Sequence, residues 1–342
     1  MIESWKTYLQ TQGALIENDT VQHFGSPATE LAASKNGTIV ADLSQLGLTA
    51  FSGEETVAFL QGQLTNDVRQ LHADTAQWNG YCSPKGRLLG NFLMWRQGDD
   101  YVLQMSRDIR ESVQKKLAMF IMRSKTKARD ASNENVRLVI AGPQAVDAVK
   151  AEFGALPEAP MKSIYAESGT VIRVAEDKFV LSISPDSAER VWQRLIQFAT
   201  PVGAPVWDGL RLNAGIPMIT GATQDQFVPQ MVNLEVIGGV SFQKGCYTGQ
   251  EIVARSQYLG KLKRRMFLAH TDAQPTPGDS LYSADMDGQA TGMVVNVAPA
   301  AEGGFDLLAV MQVESAKSSQ MHLKTMHGPM LTIKPLPYSL PE

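Results

Sequence analysis

The residues around Cys246, one of only two cysteines in the chain, are of types that favour a reactive thiol. Cys246 follows Lys244 and Gly245, and a nearby cation or helix N-terminus stabilises the thiolate form of cysteine. Thr248 and Glu251 match the Thr-x-x-Glu capping box, so we predict that a helix begins at Thr248. Cys246 would then lie just outside the positive end of that helix dipole. The alternative is that Cys246 is a small, buried, apolar residue.

The composition describes an ordinary globular protein. The chain has 342 residues, of which 44% are hydrophobic and 19% charged, with a net charge of −4. This length exceeds one typical domain, and the charge provides no global basic field for nucleic acid. Two cysteines fit a reducing compartment, and no apolar run approaches the roughly 20 residues that cross a bilayer. We therefore predict a cytoplasmic protein, with no signal peptide and no membrane partner.

Metal and phosphate motifs are absent from the sequence. The five histidines form no His-Glu-x-x-His pattern, and the two cysteines are too few to hold a four-thiolate iron–sulfur cluster. No G-x-x-x-x-G-K-[ST] phosphate loop occurs. We predict no resident metal site.

The hydrophobic periodicity predicts an α+β fold for the first two thirds of the chain. A strand at 38–41, a helix ending near Asn66 and Asp67, strands within 75–106 and a helix over 108–122 come first. The following segments read β-α-β-β-α-β, which is the ferredoxin-like order. They are a strand at 137–141, a helix opening at Pro143, strands at 171–175 and 179–183, a helix at 187–199 and a strand at 208–212.

The last part of the chain has a different character. After about residue 258, strand-like runs at 266–269, 293–297, 307–310 and 331–333 are separated by turns rich in Gly, Pro and Asp. This pattern predicts a small antiparallel barrel or sandwich. We predict three domains: 1–130 (completed by 205–257), 131–204 and 258–342.

Several motifs in a fixed order carry a family resemblance. They are KGCYTGQE at 244–251, FLQGQLTNDV at 59–68, SPKGR at 83–87, NAGIP at 213–217, FVPQ at 227–230 and PLPYSL at 335–340. Together they resemble the YgfZ-type folate-binding proteins. These are relatives of the glycine-cleavage T-protein, an aminomethyltransferase, and of a mitochondrial iron–sulfur assembly factor. The resemblance covers about residues 36–342.

The resemblance implies a fold, a cofactor and a role. It implies two ferredoxin-like α+β units and a C-terminal antiparallel β-barrel around a central opening that holds tetrahydrofolate or a derivative. The implied role is that of a monomer supporting iron–sulfur enzymes, including tRNA methylthiotransferases, with a link to the nucleotide state of the replication initiator. Cys246, with Lys244, would be the functional thiol, and the protein is not expected to be a conventional enzyme.

The resemblance also implies a set of folate-binding residues. Trp207 matches a tryptophan implicated in folate binding, and Leu46 stands where the family has a second pocket tryptophan. The whole set comprises Leu46, Asn66, Asp67, Trp207, Gln250, Glu251 and Arg255. Each has an ordinary alternative: Trp207 as a core residue, Asn66 and Asp67 as helix-terminal residues, and Arg255 as an i,i+4 partner of Glu251 rather than a ligand of a glutamyl carboxylate.

Two other functions remain open. A folate-dependent one-carbon transferase would need the acidic pair that the aminomethyltransferases carry where this chain has Gly90 and Asn91, and an amide cannot act as a carboxylate base. A tRNA-binding module would use one of two basic clusters, which could also meet polyglutamylated folate or be solvated faces. The clusters are Arg123, Lys125, Lys127 and Arg129, and Arg255, Lys261, Lys263, Arg264 and Arg265.

Overall fold

The α-helices of the computed structural model lie mainly in the first two thirds of the chain. The structure describes residues 1–258, 262–318 and 320–341. The helices are α1 (Glu3–Thr11), α2 (Pro27–Asn36), α3 (Thr56–Gln61), α4 (Arg107–Ala118), α5 (Ala145–Phe153), α6 (Pro185–Leu195), α7 (Ala204–Asn213), α8 (Gln250–Tyr258) and α9 (Val313–Ser318). None of the helices in these ranges is long and apolar enough to cross a membrane.

The strands run through the whole chain. They are β1 (Leu15–Glu17), β2 (Thr20–His23), β3 (Ile39–Asp42), β4 (Leu46–Ser52), β5 (Ala76–Cys82), β6 (Leu88–Gln97), β7 (Asp100–Ser106), β8 (Lys127–Asp130), β9 (Val136–Ala141), β10 (Ser163–Ala166), β11 (Gly169–Ala175), β12 (Lys178–Ile183), β13 (Thr200–Val202), β14 (Arg264–Thr271), β15 (Ser280–Ser283), β16 (Ala290–Pro299), β17 (Phe305–Gln312), β18 (Met321–Leu323) and β19 (Met330–Lys334). Helices and strands alternate before residue 250, and strands dominate after it.

The chain divides into two compact units. The first comprises 1–56, 69–77 and 93–207, and the second comprises 57–68, 78–92 and 208–342. One sheet has the strand order β5-β6-β7-β4-β8, and β5 and β6 contribute residues to both units. The three-domain division stays a prediction.

The first unit contains a sheet with the order β10-β11-β12-β9-β3-β13. Its neighbouring strands are antiparallel except for β13, which runs parallel to β3. Helix α6 packs on its core through Ala188, Val191, Trp192 and Leu195, which recur at i, i+3, i+4 and i+7. The Trp192 ring meets that of Trp5 edge-to-face, with the centroids 5.7 Å apart. Apolar periodicity therefore predicted this helix correctly, although it ends at Leu195.

The second unit contains the closed barrel that the turn pattern predicts. Its strand order is β14-β17-β16-β15-β18-β19, and the pairings between successive strands are antiparallel. Apolar residues from each strand fill the interior, including Ala269, Leu281, Val294, Leu307 and Leu331. The predicted α+β class and the C-terminal barrel are confirmed.

The predicted strand at 208–212 is wrong. These residues belong to α7, and the last strand of that region, β13, comes earlier, at Thr200–Val202. Val206, Trp207, Arg211 and Leu212 are all buried, so this helix buries residues on several sides. Periodicity alone cannot distinguish a short helix of this kind from a buried strand.

Candidate functional site

The start of the cysteine loop, residues 242–249, is fixed by Lys244. This side chain is 5% exposed. Its Nζ donates hydrogen bonds to the carbonyl oxygens of Gln61 at 2.7 Å, Leu64 at 2.5 Å and Asn66 at 3.1 Å. An ammonium group has three N–H donors, so these carbonyls use all of them. Lys244 is therefore a clamp between the cysteine loop and the segment after α3.

Tyr247 anchors the other side of the thiol. Its ring is buried and lies under the Lys244 ammonium, with Nζ 5.0 Å from the ring centroid, a cation–π geometry. Burial, together with the neighbouring Cys82, raises the pKa of Tyr247. Cys246, between these two buried side chains, is exposed. The loop therefore presents the thiol to solvent, which removes the buried-core interpretation of Cys246.

The helix after the loop begins later than the capping box predicts. Helix α8 starts at Gln250 rather than Thr248 because Gly249 has φ +81°, outside the right-handed helical region. A Cβ on Gly249 would lie 2.4 Å from the carbonyl oxygen of Ser83. Only glycine suits this position, on both conformational and steric grounds.

The same contact brings a second motif, the turn at residues 83–87, against α8. Gly86 has φ +68°, and a Cβ there would lie 2.8 Å from the Cβ of Ile252. Ser83 Oγ donates to Asp225 Oδ1 at 2.8 Å, and Arg87 Nη1 donates to the Asp225 carbonyl oxygen at 3.2 Å. Two motifs about 160 residues apart in the sequence thus form one packed structure.

Thr65 organises the segment that Lys244 clamps, residues 62–67, which we call the Thr65 loop. The Thr65 backbone N–H donates to Gly80 O at 2.9 Å, and the Gly80 N–H donates to Thr65 Oγ1 at 2.8 Å. Thr65 Oγ1 donates in turn to Gly239 O at 2.7 Å, and Ser241 N–H donates to Thr65 O at 3.0 Å. Sequence reasoning missed Thr65, although it lies within the 59–68 motif.

Asn66 and Asp67 do not end a helix, because α3 ends at Gln61 and the chain then turns toward β5. Asn66 Nδ2 donates to Trp78 O at 2.9 Å and to Gly238 O at 2.8 Å. Its Oδ1 accepts from Asp67 N–H at 2.9 Å. Both amide hydrogens are used within the protein, which favours a structural role for Asn66 over pteridine binding.

Asn91 is buried and joins β6 to the segment 217–219 through two hydrogen bonds. Its Nδ2 donates to Pro217 O at 2.8 Å, and its Oδ1 accepts from Ile219 N–H at 2.7 Å. An ionised carboxylate can accept but cannot donate. The amide is therefore the side chain that fits this position, and it holds the segment 217–219.

The remaining predicted site residues are carried by α7, α8 and β4. Gln250 is the first residue of α8, and Glu251 and Arg255 are exposed on it. No ion pair joins Glu251 and Arg255 among the described residues. Trp207, in α7, and Leu46, in β4, belong to the first unit and are buried, with Trp207 6% exposed.

The two basic clusters differ in how their charges are compensated. In the first, Lys125 pairs with Glu54 at 2.9 Å, and Arg129 pairs with Asp100 and Glu134 at 2.5 and 2.8 Å.

In the second cluster, Arg265 is buried in an ion pair with Glu235, while Arg255, Lys263 and Arg264 are exposed. Lys261 lies outside the described residues. Within the described ranges, no group of three or more His, Cys, Asp and Glu side chains could hold a metal ion.

Comparison with known proteins agrees with the motifs. The model of the GCVT N-terminal domain family matches residues 7–244. The tRNA-modifying protein YgfZ of Serratia proteamaculans is 30% identical over 321 residues, which are 92% of this chain and 97% of that protein. YgfZ of Sodalis glossinidius is also 30% identical over 321 residues, 92% of this chain and 98% of that protein. This chain is a YgfZ-type member of the GCVT family.

A solved structure supports the same fold. The glycine cleavage system aminomethyltransferase T from Bartonella henselae matches with a TM-score of 0.78 over 97% of this chain and 96% of that one. The sequence identity is only 16%, so this likeness concerns the fold alone. The resemblance predicted from the motifs is confirmed, and the YgfZ-type motifs are those that meet at the cysteine loop, the Thr65 loop and the 83–87 turn.

Proposed function

We propose that this YgfZ-type protein binds tetrahydrofolate or a derivative and supports the iron–sulfur enzymes that modify tRNA, including methylthiotransferases. The relatives are named tRNA-modifying proteins, which supports the tRNA-related role. Family membership supports the use of folate. Cys246 is the functional thiol in this proposal, and it acts on or docks a partner rather than holding a metal by itself.

One observation carries the proposal: Lys244 and Tyr247, which lie on either side of Cys246 in the loop, are buried, and the thiol between them is exposed. Lys244 and Tyr247 are held inside by three carbonyls and by a ring contact, whereas Cys246 faces solvent. Burying an ammonium group is costly unless its donors are satisfied. A loop that holds a buried, fully hydrogen-bonded ammonium group and exposes a cysteine beside it is suited to thiol chemistry at a partner surface.

Of the predicted folate-binding residues, Trp207 suits the ligand better than Asn66 does. Trp207 supplies an aromatic ring of the kind that stacks on a pterin. Because it is only 6% exposed, a ligand would touch mainly its edge unless neighbouring side chains move. Asn66 donates both amide hydrogens to protein carbonyls, so we assign it to the scaffold. The folate proposal therefore depends on Trp207 more than on the Thr65 loop.

The thiol is tested by complementation of a host that lacks its own copy, with methylthiolated tRNA nucleosides measured by mass spectrometry. We expect the wild type to restore the modification and Cys246→Ser to leave it at the level of the deletion strain. Cys82→Ala is the matched control, because it removes the other thiol, and we expect it to restore the modification. Equal complementation by Cys246→Ser, at equal protein level, would refute the role of the thiol.

Folate binding is tested by calorimetry with tetrahydrofolate. We expect saturable binding by the wild type, weaker binding by Trp207→Ala, and recovery of most of the affinity in Trp207→Phe, which keeps a stacking ring. Circular dichroism of each variant checks that the fold is intact. If the wild type does not bind, the thiol must act without folate.

Aminomethyl transfer remains the second candidate, and Asn91 argues against it. That side chain is committed to Pro217 and Ile219 at the position where a carboxylate is needed. Turnover of an aminomethyl carrier in the presence of tetrahydrofolate would reinstate this candidate.

A further inference from the structure

An exposed aromatic pair lies close to the cysteine loop. Tyr258, the last residue of α8, is 67% exposed. Its ring meets that of Phe242 edge-to-face, with centroids 5.9 Å apart and planes at 72°. Phe242 is half-buried, so it supports the Tyr258 ring while leaving most of it open to solvent. An exposed, supported ring is the element on which nucleic-acid bases stack.

Three cations lie near this ring in the sequence, and no carboxylate among the described residues pairs with them. Arg255, Lys263 and Arg264 are exposed, and none of them forms an ion pair with a described residue. Arg255 is three residues before Tyr258 in α8, so the two side chains are neighbours on the helix surface. Arg265, the next residue in β14, is by contrast neutralised by Glu235.

Gln230 joins α8 to the start of β14. Its Nε2 donates to the Val253 carbonyl oxygen in α8 at 2.7 Å, and its own carbonyl oxygen accepts from Arg265 Nη1 at 3.0 Å. Gln230 is fully buried. Ser256 and Gln257 of α8 line one cavity together with Leu262 and Arg265, so the end of α8, which carries Tyr258, and the start of β14, which carries Arg264, lie side by side.

The surface is also close to the exposed thiol. Cys246 is the fourth residue after Phe242, so their Cα atoms are at most about 15 Å apart. A chain a few nucleotides long that stacks on Tyr258 would therefore reach the neighbourhood of Cys246.

We propose that Phe242, Arg255, Tyr258, Lys263 and Arg264, which we call the Tyr258 platform, bind unpaired nucleotides of an RNA. The exposed ring takes a base, and the uncompensated cations take the flanking phosphates. An acidic protein segment would satisfy the cations but would leave the ring without a stacking partner. This inference rests on the proposed tRNA-related function and names the part of the RNA that is recognised, a single-stranded stretch.

The first test measures the affinity of the full chain for a fluorescently labelled single-stranded RNA of 12 nucleotides by anisotropy, with a blunt duplex of equal length for comparison. We expect Tyr258→Ala to bind the single strand about 10-fold more weakly than the wild type, because the variant loses one stacked base. Tyr258→Phe, which keeps the ring, should stay within about 2-fold of the wild type. Tyr165→Ala is the matched control, because Tyr165 in β10 is 69% exposed and lies in the other unit.

The second test addresses the cations through salt dependence. Neutralising Lys263 and Arg264 together as Lys263→Gln and Arg264→Gln should lower the slope of log affinity against log salt by about 1–2, since each phosphate contact releases counterions. The control neutralises two exposed residues of the first basic cluster, Arg123→Gln and Lys127→Gln. We expect this pair to leave the slope unchanged.

The outcomes separate the platform from the proposed function. Absent binding, a preference for the duplex, or equal weakening by Tyr165→Ala and Tyr258→Ala would overturn the platform. If Cys246→Ser still abolishes tRNA methylthiolation in those cases, the proposed function stands without the platform. If Tyr258→Ala weakens RNA binding while Cys246→Ser leaves methylthiolation intact, the platform stands and the role of the thiol fails.

Discussion

The two cysteines of this chain occupy opposite environments within one unit. Cys82 ends β5 and is fully buried, and burial, reinforced by the Asp225 carboxylate, raises the pKa of its thiol. Cys246 is exposed between two buried neighbours, Lys244 and Tyr247. The same side chain is therefore held in its neutral thiol form at one position and displayed to solvent at the other. The difference is made by the residues around each thiol, not by the thiols themselves.

Thiol reactivity should show the largest difference. We expect a maleimide to modify Cys246 in the folded protein at least about 100-fold faster than Cys82, whose modification requires the protein to open. Mass spectrometry of peptides after timed quenching measures both rates. In urea the two rates should converge, and comparable rates in the folded protein would contradict the comparison.

The second test of the comparison between the two cysteines removes the Lys244 clamp. Lys244→Met removes the donor for the carbonyls of Gln61, Leu64 and Asn66, which lie in a buried or partly buried environment, so we expect the free energy of unfolding to fall by about 3 kcal/mol. Urea denaturation followed by circular dichroism measures this change. Lys263→Met is the control, because this lysine is exposed, and its effect should stay within about 0.5 kcal/mol. Equal effects of the two substitutions would mean that the clamp does not stabilise the loop.

The two glycines that flank the thiol provide a smaller and more local test. Gly249→Ala combines φ +81° with a Cβ 2.4 Å from Ser83 O, and we expect a loss of stability of about 2 kcal/mol. A Cβ on Gly245 would meet nothing within 4 Å, so Gly245→Ala should be near neutral. The pair is compared by urea denaturation. A larger effect of Gly245→Ala would show that the loop is held differently.

Alkaline pH should destabilise the protein through two buried groups with raised pKa values, Cys82 and Tyr247. The pKa values of Cys82 and Tyr247 are both raised in the folded state. Each side chain therefore contributes its full stabilisation below its unfolded pKa, and this contribution is lost as the pH rises from the unfolded pKa through the folded one. We expect the free energy of unfolding to fall above about pH 9, and less steeply in Tyr247→Phe. Denaturation between pH 7 and 11 measures the slopes, and an unchanged slope in Tyr247→Phe would contradict the assignment.

The sequence predicted most of the elements and the identity of the displayed thiol. Turn-separated apolar runs predicted the barrel strands, because in a small barrel each strand buries alternate residues. The prediction failed at 208–212, because α7 buries residues on several sides and so lacks the polar face that makes helical periodicity visible. It also placed Asn66 at a helix end, because local propensity cannot show that the chain turns to bond β5.

The contacts within the site could not be predicted for a different reason. Lys244 and Gln61 are 183 residues apart, and Thr65 and Gly239 are 174 apart. Nothing in the local sequence of either partner indicates such a pairing. Lys244 was therefore predicted as a charge for the thiol, whereas its hydrogen bonds identify it as a clamp, and Thr65 was not predicted at all.

The bridge made by Asn91 restricts which side chains this position accepts. An aspartate at this position would have to keep its proton to donate to Pro217 O, and a protonated carboxyl is no base. An ionised one would face that carbonyl without a hydrogen. The substitution Asn91→Asp alone therefore places no carboxylate base at this position. An ionised carboxylate is accommodated there only if the 217–219 segment changes with it, so residue 91 and that segment behave as one unit.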